Sequence, residues 1–203
     1  GERTSMSARR TGRPPSSDST ATRSAILAAS RELLSEKGFE RTTMRAIAGR
    51  AGVDAALIHH YFGNKRALTV EALRPDVDPT AVFRDRPLDA ARPGRDFVRR
   101  ALHLWDDDDA QRQRAIALLR IALTDEEVSE RMVNFYVGVA HVALGDLVAA
   151  EDRDRRLVLV AGQMLSLVTM RYVFRRPEIA DATVDELAED VGPLIDQLLK
   201  PDR

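Results

Sequence analysis

The chain has 203 residues and no cysteine, which allows one or two domains with a sizeable core and excludes disulfide scaffolds, thiolate zinc sites and cysteine nucleophiles. With 44% hydrophobic, 31% charged and 5% aromatic residues, the composition is that of a globular protein rich in helix formers. The formal net charge of −1 conceals an asymmetry: residues 1–66 carry 12 Lys and Arg against 6 Asp and Glu, and residues 67–203 carry 19 against 26. A basic front joined to an acidic back predicts that the front meets a polyanion and the back meets something else, although chance clustering of solvated charges produces the same balance.

Residues 1–21 are rich in Ser, Thr, Pro and Arg without periodicity and predict a flexible basic arm. Residues 1–5 precede the first methionine, Met6, and read as a cloning remnant. Arg9, Arg10 and Arg13 lie in the arm, and Gly12-Arg13-Pro14 is a compact cationic element suited to a narrow minor groove. A solvated tail is the plainer reading of each arginine. From Thr22 the pattern is helical, with Ile26 and Leu27 recurring as Leu33 and Leu34, and Gly38 ends that helix so that Phe39 folds back onto the core. A second helix starts at Thr42 or Thr43 and places Met44, Ile47, Ala48 and Ala51 on one apolar face before Gly52 breaks it. Asp54 caps a third helix through Phe62, and Gly63-Asn64 separates it from a helix over about 65–73.

Pro75, Pro79, Pro87 and Pro93 predict a broken stretch over about 75–94. Helices then fit about 95–105, 109–123, 126–150, 155–175 and 183–199. Thr124 to Glu127 and Thr183 to Glu186 both have the form of a capping box, and Gly192-Pro193 predicts a bend in the last helix. Leu157 to Met170 is broken by Gly162, Gln163, Ser166 and Thr169 and is shorter than the ~20 apolar residues of a membrane span, so it reads as a helix buried on several faces. No targeting segment is visible, which predicts a cytoplasmic protein without membrane contact. Asp106 to Asp109 precede a helix, where capping and dipole complementarity account for them better than a bound cation. The fold class is therefore all-α.

Two short helices joined by a Gly-containing turn form a helix-turn-helix, which carries its second helix into the major groove of DNA. In that helix Ile58 and Phe62 can face the core, while Ala55 with His59, and Ala56 with His60, are i, i+4 pairs on the remaining surface. The small residues permit close approach and the imidazoles can reach bases or phosphates. An ordinary helical hairpin has the same spacing.

The residue order distinguishes the two. Thr42-Thr43-Met44-Arg45-Ala46-Ile47-Ala48, then Ala51-Gly52-Val53, then Leu57-Ile58-His59-His60-Tyr61-Phe62-Gly63-Asn64-Lys65-Arg66-Ala67-Leu68 closely resembles the DNA-binding domain of the tetracycline-repressor (TetR) family of bacterial transcriptional regulators. The resemblance covers about residues 22–70; beyond it, only the length, the helical pattern and the two long final helices are similar to the family. It implies that Thr43 is a phosphate-binding helix cap, that Arg45 contacts a base or phosphate, that Ala55, Ala56, His59 and His60 face the groove, and that Tyr61 and Lys65 contact the backbone. For Tyr61, packing explains the side chain equally well. The family often has Tyr where His59 stands, which makes a partly pH-dependent contact possible here. The resemblance further implies a homodimer through the helices at about 155–175 and 183–199, and a twofold dimer matches inverted half-sites on a double-stranded DNA operator.

Residues 71–203 are then expected to form an effector-binding and dimerisation domain. His103, Trp105, Met132, Phe135, Tyr136, His141, Met164, Arg171 and Tyr172 lie on its helices and combine the apolar, flexible and hydrogen-bonding types that a small-molecule site requires. No serine elbow, phosphate loop, dinucleotide fingerprint or zinc-protease motif occurs, and no enzyme activity, cofactor or metal is predicted. The sequence thus predicts a ligand-responsive DNA-binding regulator, a repressor released by a small-molecule effector. A ligand-independent DNA-architecture protein and a small-molecule carrier with a vestigial DNA-binding fold are the alternatives.

Overall fold

A computed structural model describes residues 15–200, and every regular element among them is helical. The chain divides into two compact units at Leu68 and Thr69.

In the first unit, α1 (Pro15–Arg41) is interrupted at Gly38, whose φ of 75° and ψ of 173° suit a residue without Cβ. Residues 15–21, expected in the arm, are already helical: proline is tolerated in a first turn, Asp18 complements the helix dipole, and Ser19 Oγ lies 2.9 Å from the Tyr61 hydroxyl. Arg9, Arg10 and Arg13 lie outside the described residues. Next come α2 (Met44–Ala51), α3 (Ala55–Phe62) and the first turn of α4 (Lys65–Leu73), the helix in which the boundary falls. Thr43 caps α2 by accepting from Ala46 N at 3.1 Å, and Asp54 caps α3 by accepting from Ala56 N at 2.7 Å. Between them Gly52 takes the left-handed conformation (φ 70°, ψ 34°) that makes the turn tight. Ile26, Ala29 and Leu33 of α1 close on Ile47, Ala48, Ile58, Phe62 and Leu68 as one core. The buried Thr42 hydroxyl donates to the Gly38 carbonyl at 2.7 Å, and Arg50 of α2 bonds Glu32 and Glu36 of α1.

In the second unit, a π-helical turn at Thr80–Arg84, within the stretch expected to be broken, places Phe83 in the core. It is followed by α5 (Pro93–Asp106), α6 (Asp109–Ala122), α7 (Glu126–Leu144), α8 (Arg153–Val168), α9 (Pro177–Ala180) and α10 (Val184–Leu199). Helix α7 ends at Leu144 in a 3₁₀ turn, Gly145–Leu147, six residues short of the expected end, and α8 passes into a second π-turn at Thr169–Val173. The capping box at Thr183 forms with Glu186, but the one at Thr124 does not. There the Thr124 hydroxyl turns back to the Ile121 carbonyl, and Asp125 caps α7 by accepting from Val128 N at 3.0 Å. Helix α10 runs through Gly192-Pro193 as one element, and the glycine serves a close crossing with α5, where Gly94 N donates to Asp196 Oδ1 at 2.7 Å. Glu189 bonds Arg92 and Arg95 across the same pair, and Asp185 bonds Arg99.

One expectation is corrected here. The acidic run does not act as one capping cluster: Asp108 caps α6, Asp107 pairs with His103 at 3.3 Å, and Asp106 reaches Arg171 and Tyr172. Within the single chain, α8 turns one face to the core. Leu157, Val160, Leu167 and Val168 enter the core, Val158 and Leu165 are partly exposed beside them, and Leu159 of α8 and Met170 of the following π-turn are exposed in the single chain. By length and composition the helical run Arg153–Val173 does reach what a membrane span requires. Near its end, however, it carries Arg171, which is 8% exposed and bonded throughout to its own unit.

Candidate functional site

One part of the first unit's surface is made by the start of α2 and the outer face of α3. Thr43 and Arg45 are both exposed. Because the Thr43 oxygen accepts the capping bond, its hydroxyl proton is free to be donated outwards, beside the first-turn backbone N–H groups that favour an anion. On α3, Ile58 and Phe62 are buried, and Ala56, His59 and His60 are exposed. Ala55 differs from the other groove candidates in being half-buried against the core. His59 Nδ1 lies 2.8 Å from the Gly63 carbonyl, so Nδ1 carries the proton and Nε2 is the atom left to meet a partner.

Tyr61 is half-buried, packs against the core, meets the His60 ring edge-on at 5.6 Å, and presents its hydroxyl to Ser19. It therefore packs and keeps a polar tip at the surface. The Lys65 ammonium stands 4.2 Å over the Phe39 ring and 3.5 Å from the Glu40 carbonyl, which fixes its position at the start of α4. Together these residues form a surface of cations, hydroxyls and small side chains, the types that position phosphates and admit base edges.

The second unit contains a cavity of about 210 Å³ among α5, α6, α7 and α8. Five of the expected lining residues are on its wall: Trp105, Met132, Phe135, Tyr136 and Met164. Four are elsewhere. His103 pairs with Asp107, and His141 Nε2 lies 3.4 Å from Asp154 Oδ1. Arg171 and Tyr172 form a cluster on the far side of Trp105. Tyr172 stacks on the indole at 5.5 Å with an interplanar angle of 6°, and its hydroxyl donates to Asp106. Arg171 holds Asp106 through Nη2 at 3.0 Å and donates through Nη1 to the carbonyls of Ile179, Ala180 and Ala182. Burial pushes the Asp106 carboxyl up, but hydrogen bonds from Arg171 and Tyr172 and the charges of Arg171 and Arg112 outweigh it and hold the group below its usual range. Phe83, Phe97, Leu119, Val158 and Leu165 also line the cavity. As plain apolar residues they carry no signal in the sequence that separates wall from core.

Residues 26–72 match the family described as "Bacterial regulatory proteins, tetR family", and residues 91–199 match "Tetracyclin repressor-like, C-terminal domain". A TetR-family regulator from Streptomyces coelicolor A3 is 31% identical, with a TM-score of 0.71 over 95% of this chain and 99% of that one. The HTH-type transcriptional regulator BetI of Agrobacterium fabrum is 27% identical over 176 residues, 87% of this chain and 74% of that protein. NalD of Pseudomonas aeruginosa, described as the secondary repressor of the MexAB-OprM multidrug efflux pump, shares the fold at 24% identity and a TM-score of 0.60, over 92% of this chain and all of that one. With both of its units matched in this way, the chain belongs to the tetR family of bacterial transcriptional regulators.

Proposed function

We propose that this regulator is a cytoplasmic repressor that holds an inverted-repeat operator as a homodimer and leaves it when a small molecule occupies the cavity of the second unit. The observation that carries the reading is the surface formed by Thr43, Arg45, Ala56, His59 and His60 at the start of α2 and along α3. In this reading Thr43, Arg45, Tyr61 and Lys65 fix the register on phosphates, the exposed face of α3 reads bases with Ala55 at its margin, and Arg9, Arg10 and Arg13 add charge from the arm.

The dimer is assigned to α8 with its following π-turn and to α10, where Leu159, Met170 and Leu194 expose apolar side chains. An effector then acts only through its different affinity for two dimer arrangements, one of which spaces the recognition helices to fit the half-sites.

Mobility shifts on the DNA upstream of the protein's own gene, with and without lipophilic candidates, test this. A retarded band that a ligand releases is expected. A band insensitive to ligand and to sequence points to an architectural protein instead, and ligand binding without any band points to a carrier.

A further inference from the structure

The cavity wall is unusual in what it lacks. No charged side chain lines it, and its side-chain polar atoms are confined to Trp105 and Tyr136. The helical backbone behind the wall spends its own donors and acceptors within the helices. A charged guest would therefore lose its hydration without a counter-charge, the most expensive form of polar burial. Phe83, Phe97 and Phe135 offer ring faces and edges instead.

Tyr136 is the exception that a guest can use. Its hydroxyl makes no hydrogen bond to another described residue, and burial alone pushes the phenol above its ordinary value. Tyr136 itself is half-buried on the cavity wall, and a phenol without a protein partner there is free to bond a guest that brings an acceptor or a donor to it. The volume of about 210 Å³ exceeds the ~150 Å³ apolar cavity that takes one benzene, which gives room for a guest of about two fused rings.

On the reading that the second unit is the effector domain, we propose that the effector is a compact, uncharged lipophile with a single hydrogen-bonding function, and that the Tyr136 hydroxyl anchors that function inside the apolar cavity.

Calorimetric titration of the full chain with a matched series tests the assignment: 2-naphthol, naphthalene, 2-naphthoate and 2-naphthylmethylammonium. Saturable binding of 2-naphthol at one site per chain is expected, with both charged analogues at least about 100-fold weaker. Tyr136→Phe is expected to weaken 2-naphthol roughly threefold to tenfold and to leave naphthalene unchanged, which also reports that the variant cavity is intact. Charged analogues that bind as well as 2-naphthol, no member of the series binding, or a Tyr136→Phe variant with undiminished affinity for 2-naphthol would overturn the proposal. A separate operator-release assay keeps the two readings apart. Tyr136-dependent binding of 2-naphthol with no effect on the DNA complex leaves the ligand class standing and removes its role as an effector.

Discussion

Gly192 faces the backbone of Arg95 so closely that a Cβ on the glycine would lie 2.6 Å from the Arg95 Cα. The α5 and α10 crossing therefore leaves no room for even one methyl group. Gly192→Ala is expected to destabilise the protein by about 1–3 kcal/mol and to lower the melting midpoint by several degrees, although alanine is the better helix former by about 1 kcal/mol. Gly138, on an open face of α7, has nothing within 4 Å, and Gly138→Ala is expected to raise the midpoint. Calorimetric scans of the two variants check the contrast.

Asp106 and Arg171 form a pair whose two members are not equivalent. Asp106→Asn leaves a guanidinium with 8% exposure without its counter-charge but still bonded to three carbonyls. The expected loss is about 2 kcal/mol, below the 3–5 kcal/mol of a fully buried pair because the Asp106 side chain is 27% exposed. Arg171→Met also strands those three carbonyls and is expected to cost more, as read by denaturant midpoints.

The same pair has a pH signature. Because the folded carboxyl of Asp106 lies below its usual value of 3.8, its contribution is fully present above that value and is lost as pH falls through the lower, folded one. Acid titration of stability is expected to be shallower in Asp106→Asn than in the parent, and superimposable acid limbs would contradict the assignment.

Thr43 allows folding and DNA contact to be separated. Aspartate caps a helix as well as threonine does, so Thr43→Asp is expected to keep the melting midpoint. It also sets a negative charge where a phosphate is expected, and operator affinity should fall at least tenfold, whereas Thr43→Ala should lose about 1 kcal/mol of stability. Thermal melts and anisotropy titrations on the same preparations distinguish the outcomes.

Much of this organisation is legible in the sequence where a residue acts locally. Thr43, Gly52, Asp54 and Thr183 each perform the turn or cap that their neighbours predict, because those bonds span two to four residues. What is not legible depends on partners distant in the chain. Asp106 leaves its acidic run for Arg171, 65 residues away, and nothing near Gly192 in the sequence announces the backbone of Arg95 beside it. The apolar pattern of α8 likewise does not say which of its faces turns to this chain's own core, since composition cannot orient a helix. In the cavity, Trp105 and Tyr136 are distinguishable by residue type, whereas Phe83 reaches the wall through a π-turn that no periodicity announces.

The dimer assignment has its own test. A charge placed on the exposed apolar face, as in Leu194→Lys, is expected to give monomers in sedimentation velocity with unchanged helix content and with operator affinity strongly reduced. A variant that sediments as the parent does would move the interface elsewhere.

The most direct measurement is the binding of the full chain to a labelled duplex from upstream of its own gene, followed by anisotropy over a series of salt concentrations. The account predicts two chains per inverted repeat, a clear preference over scrambled duplex, and a logarithmic salt slope that Lys65→Ala reduces by about one unit per half-site on both duplexes. Equal affinity for the two duplexes, or no binding at the lowest salt, would contradict it.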